Sequence, residues 1–185
     1  MLQQDMCIVN GWLSAARRRP SPNYNARPEG QTPELIVIHN ISLPAGQFGT
    51  GYAEALLCND LDCETHPSFA DLQGLEVSAH LLIDREGEVV QLVSFDDRAW
   101  HAGVSQYFGR DNCNDFSIGI ELEGTDDLAY TDAQYQALAE VVPVVQRHYA
   151  ISPSAITGHS DIAPGRKTDP GAAFDWSRLR SACGA

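Results

Sequence analysis

The residues with the greatest chemical potential in this chain are two histidines, two acids and a lysine. His39 follows the apolar run Leu35-Ile36-Val37-Ile38, and His159 follows a short stretch at 155–158, so each imidazole stands at the carboxyl end of an expected strand. Open α/β sheets tend to bind ligands beyond those ends. Asp169 lies in Pro164-Gly165-Arg166-Lys167-Thr168-Asp169-Pro170-Gly171, where Pro170 biases it toward extended backbone. Two imidazoles and a carboxylate make a possible zinc ligand set, borderline nitrogen donors plus one oxygen, with a fourth position left for water. His and Asp residues this far apart in sequence also serve as ordinary hydrogen-bonded polar groups, and spacing alone leaves both readings open. Glu121 is enclosed by Ile120 and Leu122, where burial raises a carboxyl pKa and makes a candidate general base. Glu123, beside Gly124 at the end of the same run, reads as part of a solvated polar face.

The other histidines have plainer explanations. His66 precedes Pro67, and His148 lies near the end of an expected helix, where a cationic side chain suits the helix dipole. His80 sits within an alternating run, and His101 within Trp100-His101-Ala102-Gly103, a turn; either fits a polar residue lining a groove. Lys167 is the chain's single lysine among 12 basic residues.

The elements that must hold these groups can be read from periodicity. Leu35-Ile36-Val37-Ile38 is the β-branched run of a strand covered on both faces. Val77, Ala79, Leu81 and Ile83 alternate with polar positions, Asp84-Arg85-Glu86-Gly87 supplies a turn, and residues 88–95 run back to make a hairpin. Ile118, Ile120 and Leu122 alternate with Gly119, Glu121 and Glu123, which puts both carboxylates on one face. Thr131 and Gln134 form a capping box for a helix through Tyr135, Leu138, Val142 and Val145, with a kink expected at Pro143. Asp175 caps a last helix through Leu179. Residues 20–33 are a turn-rich arm with four prolines, and residues 46–74 read as a long loop with a short helix at 52–57.

At 185 residues the chain is expected to form one domain, residues 1–185, with a Pro-rich arm at 1–33 packing on it. The 12 basic against 25 acidic residues give a formal charge of −13, which argues against nucleic acid and anionic membrane surfaces as partners. No apolar run approaches the length of a membrane span. Asp5 precedes the first apolar stretch and Arg17-Arg18-Arg19 follow it, the reverse of a secretory signal. Five scattered cysteines do not form a complete disulfide framework, and Cys58 and Cys63 lack a second matching pair for a zinc knuckle, so free thiols and a cytoplasmic location are expected.

Taken in series, Val37-Ile38-His39-Asn40-Ile41-Ser42, Ser78-Ala79-His80, Arg98-Ala99-Trp100-His101-Ala102-Gly103-Val104-Ser105, the run from Asn114 to Asp126, Thr157-Gly158-His159 and Arg166-Lys167-Thr168-Asp169-Pro170-Gly171 resemble the zinc-dependent N-acetylmuramoyl-L-alanine amidases in order and spacing. The resemblance is nearest to the branch that acts on 1,6-anhydro-muropeptides. It implies an α/β fold with a central mixed β-sheet flanked by helices, of the group that includes peptidoglycan recognition proteins. It also implies one Zn2+ per chain on His39, His159 and Asp169, Glu121 as general base, and Lys167 stabilising the oxyanion. Asn40, His80, Trp100, His101, Arg110 and Ala163 are the implied substrate contacts.

The implied reaction is hydrolysis of the bond between the muramyl lactyl group and L-alanine in cytosolic peptidoglycan recycling, which bears on β-lactamase induction. Glu76 and Asn112 stand where basic side chains for the stem peptide's carboxylates are expected, leaving Arg110 for that task. A non-catalytic muropeptide-binding module and an amidase of intact envelope peptidoglycan are the alternatives; the filled ligand and base positions weigh against the first.

Overall fold

The structure, a computed structural model, describes residues 6–184. Asp5, which sets the charge order at the N-terminus, lies outside them. The main sheet has six strands: β1 (Arg17–Arg18), β2 (Leu35–Ile41), β3 (Leu81–Ile83), β4 (Val89–Gln91), β5 (Ser117–Glu123) and β6 (Ile156–Gly158). Their order is β6-β2-β5-β3-β4-β1, with β3 and β4 antiparallel and all other neighbours parallel. The helices are α1 (Tyr52–Leu57), α2 (Asp132–Tyr149), the short α3 (His159–Ile162) and α4 (Trp176–Cys183).

Strand alternation divides the chemistry from the main core. Ile36 and Ile38 of β2, Ile118, Ile120 and Leu122 of β5, and Leu81 and Ile83 of β3 pack with Tyr135, Leu138, Val141, Val142 and Val145 of α2 and Leu179 of α4. Each such side chain contributes about 1.5–3 kcal/mol on full burial. Leu35 and Val37 face the other way, against Ala102, Phe116 and Ile162, while Leu82 and Val90 join Leu57 of α1 in a separate cluster. His39 and Glu121, two residues beyond Val37 and Gly119, share this second face because strand side chains repeat with a period of two.

The helix signals hold. Thr131 accepts from the Gln134 amide at 3.1 Å, and the Gln134 side chain accepts from Thr131 N at 3.1 Å. Pro143 does not end α2, which continues to Tyr149; its missing N–H costs one helical hydrogen bond, while Val141, Val142 and Val145 around it stay buried. Asp175 caps α4 by accepting from Arg178 N.

The hairpin is shorter than its alternation suggests. Regular pairing stops at Leu81 and Gln91, apart from Leu92 N donating to His80 O; beyond it the arm meets both segments, with Ser78 Oγ donating to Asn23 O, Ser21 N to Leu92 O, and Phe95 N to Gly11 O. The arm is therefore built into the sheet, with β1 pairing β4 and Ile8 and Leu13 in the main core. Residues 46–74 hold the expected α1 and also 3-10 turns at Cys63–Thr65 and Pro67–Leu72, capped by Asp62 and by His66 Nδ1.

Candidate active site

Register puts the first two groups side by side. Glu121 of β5 stands opposite His39 of β2, and β6 on the other flank of β2 delivers the chain into His159, the first residue of α3. After α3 the chain turns back, with Arg166 N and Lys167 N both donating to Ala163 O and Ser160 N donating to Asp169 O. This return brings Asp169 onto the two histidines. His39 Nδ1 lies 3.0 Å from His159 Nδ1, and Asp169 Oδ2 lies 3.1 Å from the first and 3.2 Å from the second. One donor atom of each residue falls within 4.8 Å of the others, and both imidazoles are buried.

Burial dominates the electrostatics. It pushes the His39 pKa down to about 4, so the ring is neutral near neutral pH. Burial opposes the Asp169 carboxylate, but the His159 and His39 rings packed against it outweigh that cost and hold the carboxyl below its usual range. Two imidazoles and one carboxylate aimed at a common point fit a divalent cation, and the nitrogen-rich donor set fits zinc. Glu121 is half-buried as a residue, yet its Oε2 is sealed from solvent and has no hydrogen-bond partner among the described residues. Burial, aided by Asp169 and opposed by Lys167, raises its pKa well above the ordinary carboxylate value, as the sequence suggests. Lys167 is exposed at the cleft, and its ammonium makes no ion pair among the described residues.

These groups line a cleft of about 240 Å³. Ile41, Leu57, Leu75 and Val77 give it apolar surface, and Trp100 and Asn40 also face it. A hollow of about 460 Å³ beside Met6 and α2 is larger, but no histidine lines it.

The remaining expected contacts divide. The Asn40 amide is already used, donating to Asp126 Oδ1, Tyr130 Oη and Pro170 O. Trp100 Nε1 donates to Asn25 Oδ1. His101 lines the cleft but is buried against His39, with Nδ1 2.8 Å from His39 Nε2. His80 is fully buried and does not line it: its Nδ1 accepts from Gly119 N, and its Nε2 lies 3.0 Å from Asp97 O. Arg110 is engaged by Glu34 and Gln31, stacks on Phe116, and is not among the cleft residues. Ala163 is buried and shapes the turn that carries Lys167. Glu76 and Asn112 are exposed.

Glu123 departs from its solvated reading. It is buried, accepting from Gly49 N, because residues 46–51 fold back over the end of β5. Sequence reasoning also missed Asp126 and Tyr130, which tie the Asp169 loop to Asn40: Tyr130 Oη donates to Pro170 O at 2.7 Å, and Thr168 Oγ1 donates to Asp126. A Cβ on Gly171 would collide with Asp126, the one local signal of that approach.

Two imidazoles, a carboxylate, a sealed acid and an unpaired ammonium in one cleft are the parts of a hydrolytic site on a mixed α/β sheet. The N-acetylmuramoyl-L-alanine amidase family model matches residues 29–172, and the chain belongs to that family. Within it, the chain is 61% identical over 175 residues to the 1,6-anhydro-N-acetylmuramyl-L-alanine amidase AmpD of Escherichia coli K12, covering 95% of this chain and 96% of that one. A crystal structure of a selenomethionine AmpD derivative superposes with a TM-score of 0.93 at 58% identity, covering 96% of this chain and 99% of that one. AmpDh3 of Pseudomonas aeruginosa, solved in complex with anhydromuramic pentapeptide, is 31% identical with a TM-score of 0.65, covering 85% of this chain and 62% of its own.

Proposed function

We propose that this amidase hydrolyses the bond between the lactyl carbonyl of 1,6-anhydro-N-acetylmuramic acid and the L-alanine nitrogen of the stem peptide, in cytosolic recycling of peptidoglycan. The observation that carries the reading is the convergence of His39, His159 and Asp169 beside the unpartnered Glu121, in a chain this similar to the E. coli enzyme. His39, His159 and Asp169 would hold one zinc ion. Bound there, zinc supplies Lewis acidity, making a water acidic enough to attack near neutral pH and polarising the lactyl carbonyl.

The chain's own groups do the rest. Glu121, whose pKa burial raises, takes the proton of the attacking water and delivers it to the alanine nitrogen, which leaves as an amine. A carbon–oxygen bond forms, the carbon–nitrogen bond breaks, and the products are the free lactyl acid and the stem peptide. Lys167 places a positive charge beside the carbonyl oxygen while that oxygen carries negative charge. Ile41, Leu57, Leu75 and Val77 cover apolar substrate surface and exclude water. We assign residues 1–185 to one amidase domain, supported by the arm's place in the sheet and core. The five free thiols suit the proposed cytosolic location.

The test is mass spectrometry of products from an anhydro-muropeptide, with and without a chelator, beside intact sacculi as a second substrate. Stem-peptide release that stops on chelation and returns with zinc is expected. Release that survives chelation would sink the zinc assignment, and binding without release would make the chain a muropeptide-holding module. Equal release from sacculi would move the substrate to the envelope polymer.

A further inference from the structure

We infer that His101 and Ala102 are one positioning element for the metal centre, keeping the ring protons of both histidine ligands on the side away from the cluster; this rests on the zinc reading above. His159 Nε2 lies 3.0 Å from Ala102 O. A carbonyl oxygen only accepts, so this nitrogen carries a ring proton, which leaves Nδ1 as the atom free to present a lone pair to a cation. His39 has no carbonyl in that place. Its Nε2 faces His101 Nδ1 at 2.8 Å, and His101 Nε2 faces Ser117 Oγ at 3.0 Å.

The protons of this chain can be counted. Two neutral imidazoles share two protons among four nitrogens. For His39 Nδ1 to offer a lone pair, its proton must sit on Nε2, His101 Nδ1 must be bare to accept it, and His101 must donate from Nε2 to the serine hydroxyl. The same contacts accept the reverse order, with a proton on His39 Nδ1 directed at Asp169 Oδ2 and the serine donating. Both orders leave the rings neutral, so His39 changes from holding a proton to holding a cation without ionising.

One further side chain fixes both acceptors. Asn114 Oδ1 accepts from His101 N at 3.1 Å and from Ala102 N at 2.8 Å, so a single buried amide pins the dipeptide that serves both ligands. The His101 ring reaches its place because β5 carries glycine at position 119, where a Cβ would lie 2.6 Å from His101 Nδ1. A glycine inside a strand often marks such a close approach.

The zinc-loaded protein tests this without mutation. Long-range proton–nitrogen spectra should show His39, His159 and His101 each protonated at Nε2; His101 protonated at Nδ1 would overturn the inference. Competition of metal-free protein against a zinc-chelating dye gives a second readout. His101→Leu and Asn114→Ala should weaken zinc about 10–100-fold, as loss of outer partners of metal ligands does. His101→Asn, whose Oδ1 stands near the place of Nδ1, and Asn114→Asp should recover most of it. Should the leucine variant fail to fold, Ser117→Ala removes only one hydroxyl and should weaken zinc in the same direction. Unchanged zinc affinity in the folded variants defeats the positioning role alone. A wild-type chain that binds no zinc defeats the zinc reading with it.

Discussion

Glu121→Gln should raise stability and lower turnover together. The wild-type Oε2 is sealed from solvent without a partner, and burial raises the carboxyl pKa. Near neutral pH the folded wild type keeps its buried carboxyl protonated while the unfolded chain ionises, whereas the isosteric amide has no proton to keep, so a net gain of about 1–2 kcal/mol is expected. For a domain of this size that corresponds to about 2–8 °C in Tm. The sign with pH follows from linkage: above the ordinary carboxylate pKa the folded state holds a proton that the unfolded chain has lost, so wild-type stability falls as pH rises toward the raised value. The variant lacks that slope. The advantage should therefore vanish below about pH 4 and grow toward neutrality. Turnover should fall by about 10²–10⁴, the usual worth of a general base. Thermal unfolding of metal-free protein from pH 4 to 8, with product release measured on the zinc-loaded form, checks both. A variant less stable than wild type at neutral pH would refute the burial argument, and near-normal turnover would remove Glu121 from the proton path.

Lys167→Ala should lower kcat by about 10²–10³ with zinc content unchanged, and Lys167→Arg should restore little, since a planar fork directs its donors differently from a compact ammonium; steady-state kinetics with metal analysis decides. Thr131→Ala removes the capping box and the hydroxyl's bond to Arg85 O, and should cost about 1–2 kcal/mol in denaturant unfolding while kcat stays near wild type. Tyr130→Phe deletes the 2.7 Å bond to Pro170 O and should cost about 0.5–1.5 kcal/mol, with a measurable loss of zinc affinity because that bond steadies the Asp169 loop. Equal zinc affinity in the phenylalanine variant would show that Asn40 and Asp126 hold the loop alone.

The strands and helices that frame the site were legible where signals are local. The β-branched run at 35–38, the alternation at 118–122, the Thr131 box and the Asp175 cap each act within a few residues and each formed its element. The grouping of His39, His159 and Asp169 was legible through the resemblance, because only serial motifs link residues as remote as His39 and Asp169. What alternation could not show were contacts made from elsewhere in the chain: Gly49 over Glu123, and Arg27, whose guanidinium donates to the carbonyls of Phe95, Asn114, Asp115 and Ser117 from an arm with no apolar pattern. Arg110 has a local sequence setting that suits substrate binding, and a long-range partner, Glu34, engages it.

The strand order has a consequence in time. Central β2 is made early in synthesis, yet its two neighbours, β5 and β6, are made late, and Asp169 later still. Until those segments leave the ribosome, His39 lies on a strand without hydrogen-bonding neighbours. The pairing of β2 is thus non-local on both edges, and such pairing slows folding. The grouping of His39, His159 and Asp169 is complete only once β6 lies beside β2, so its geometry depends on the most non-local pairing in the sheet.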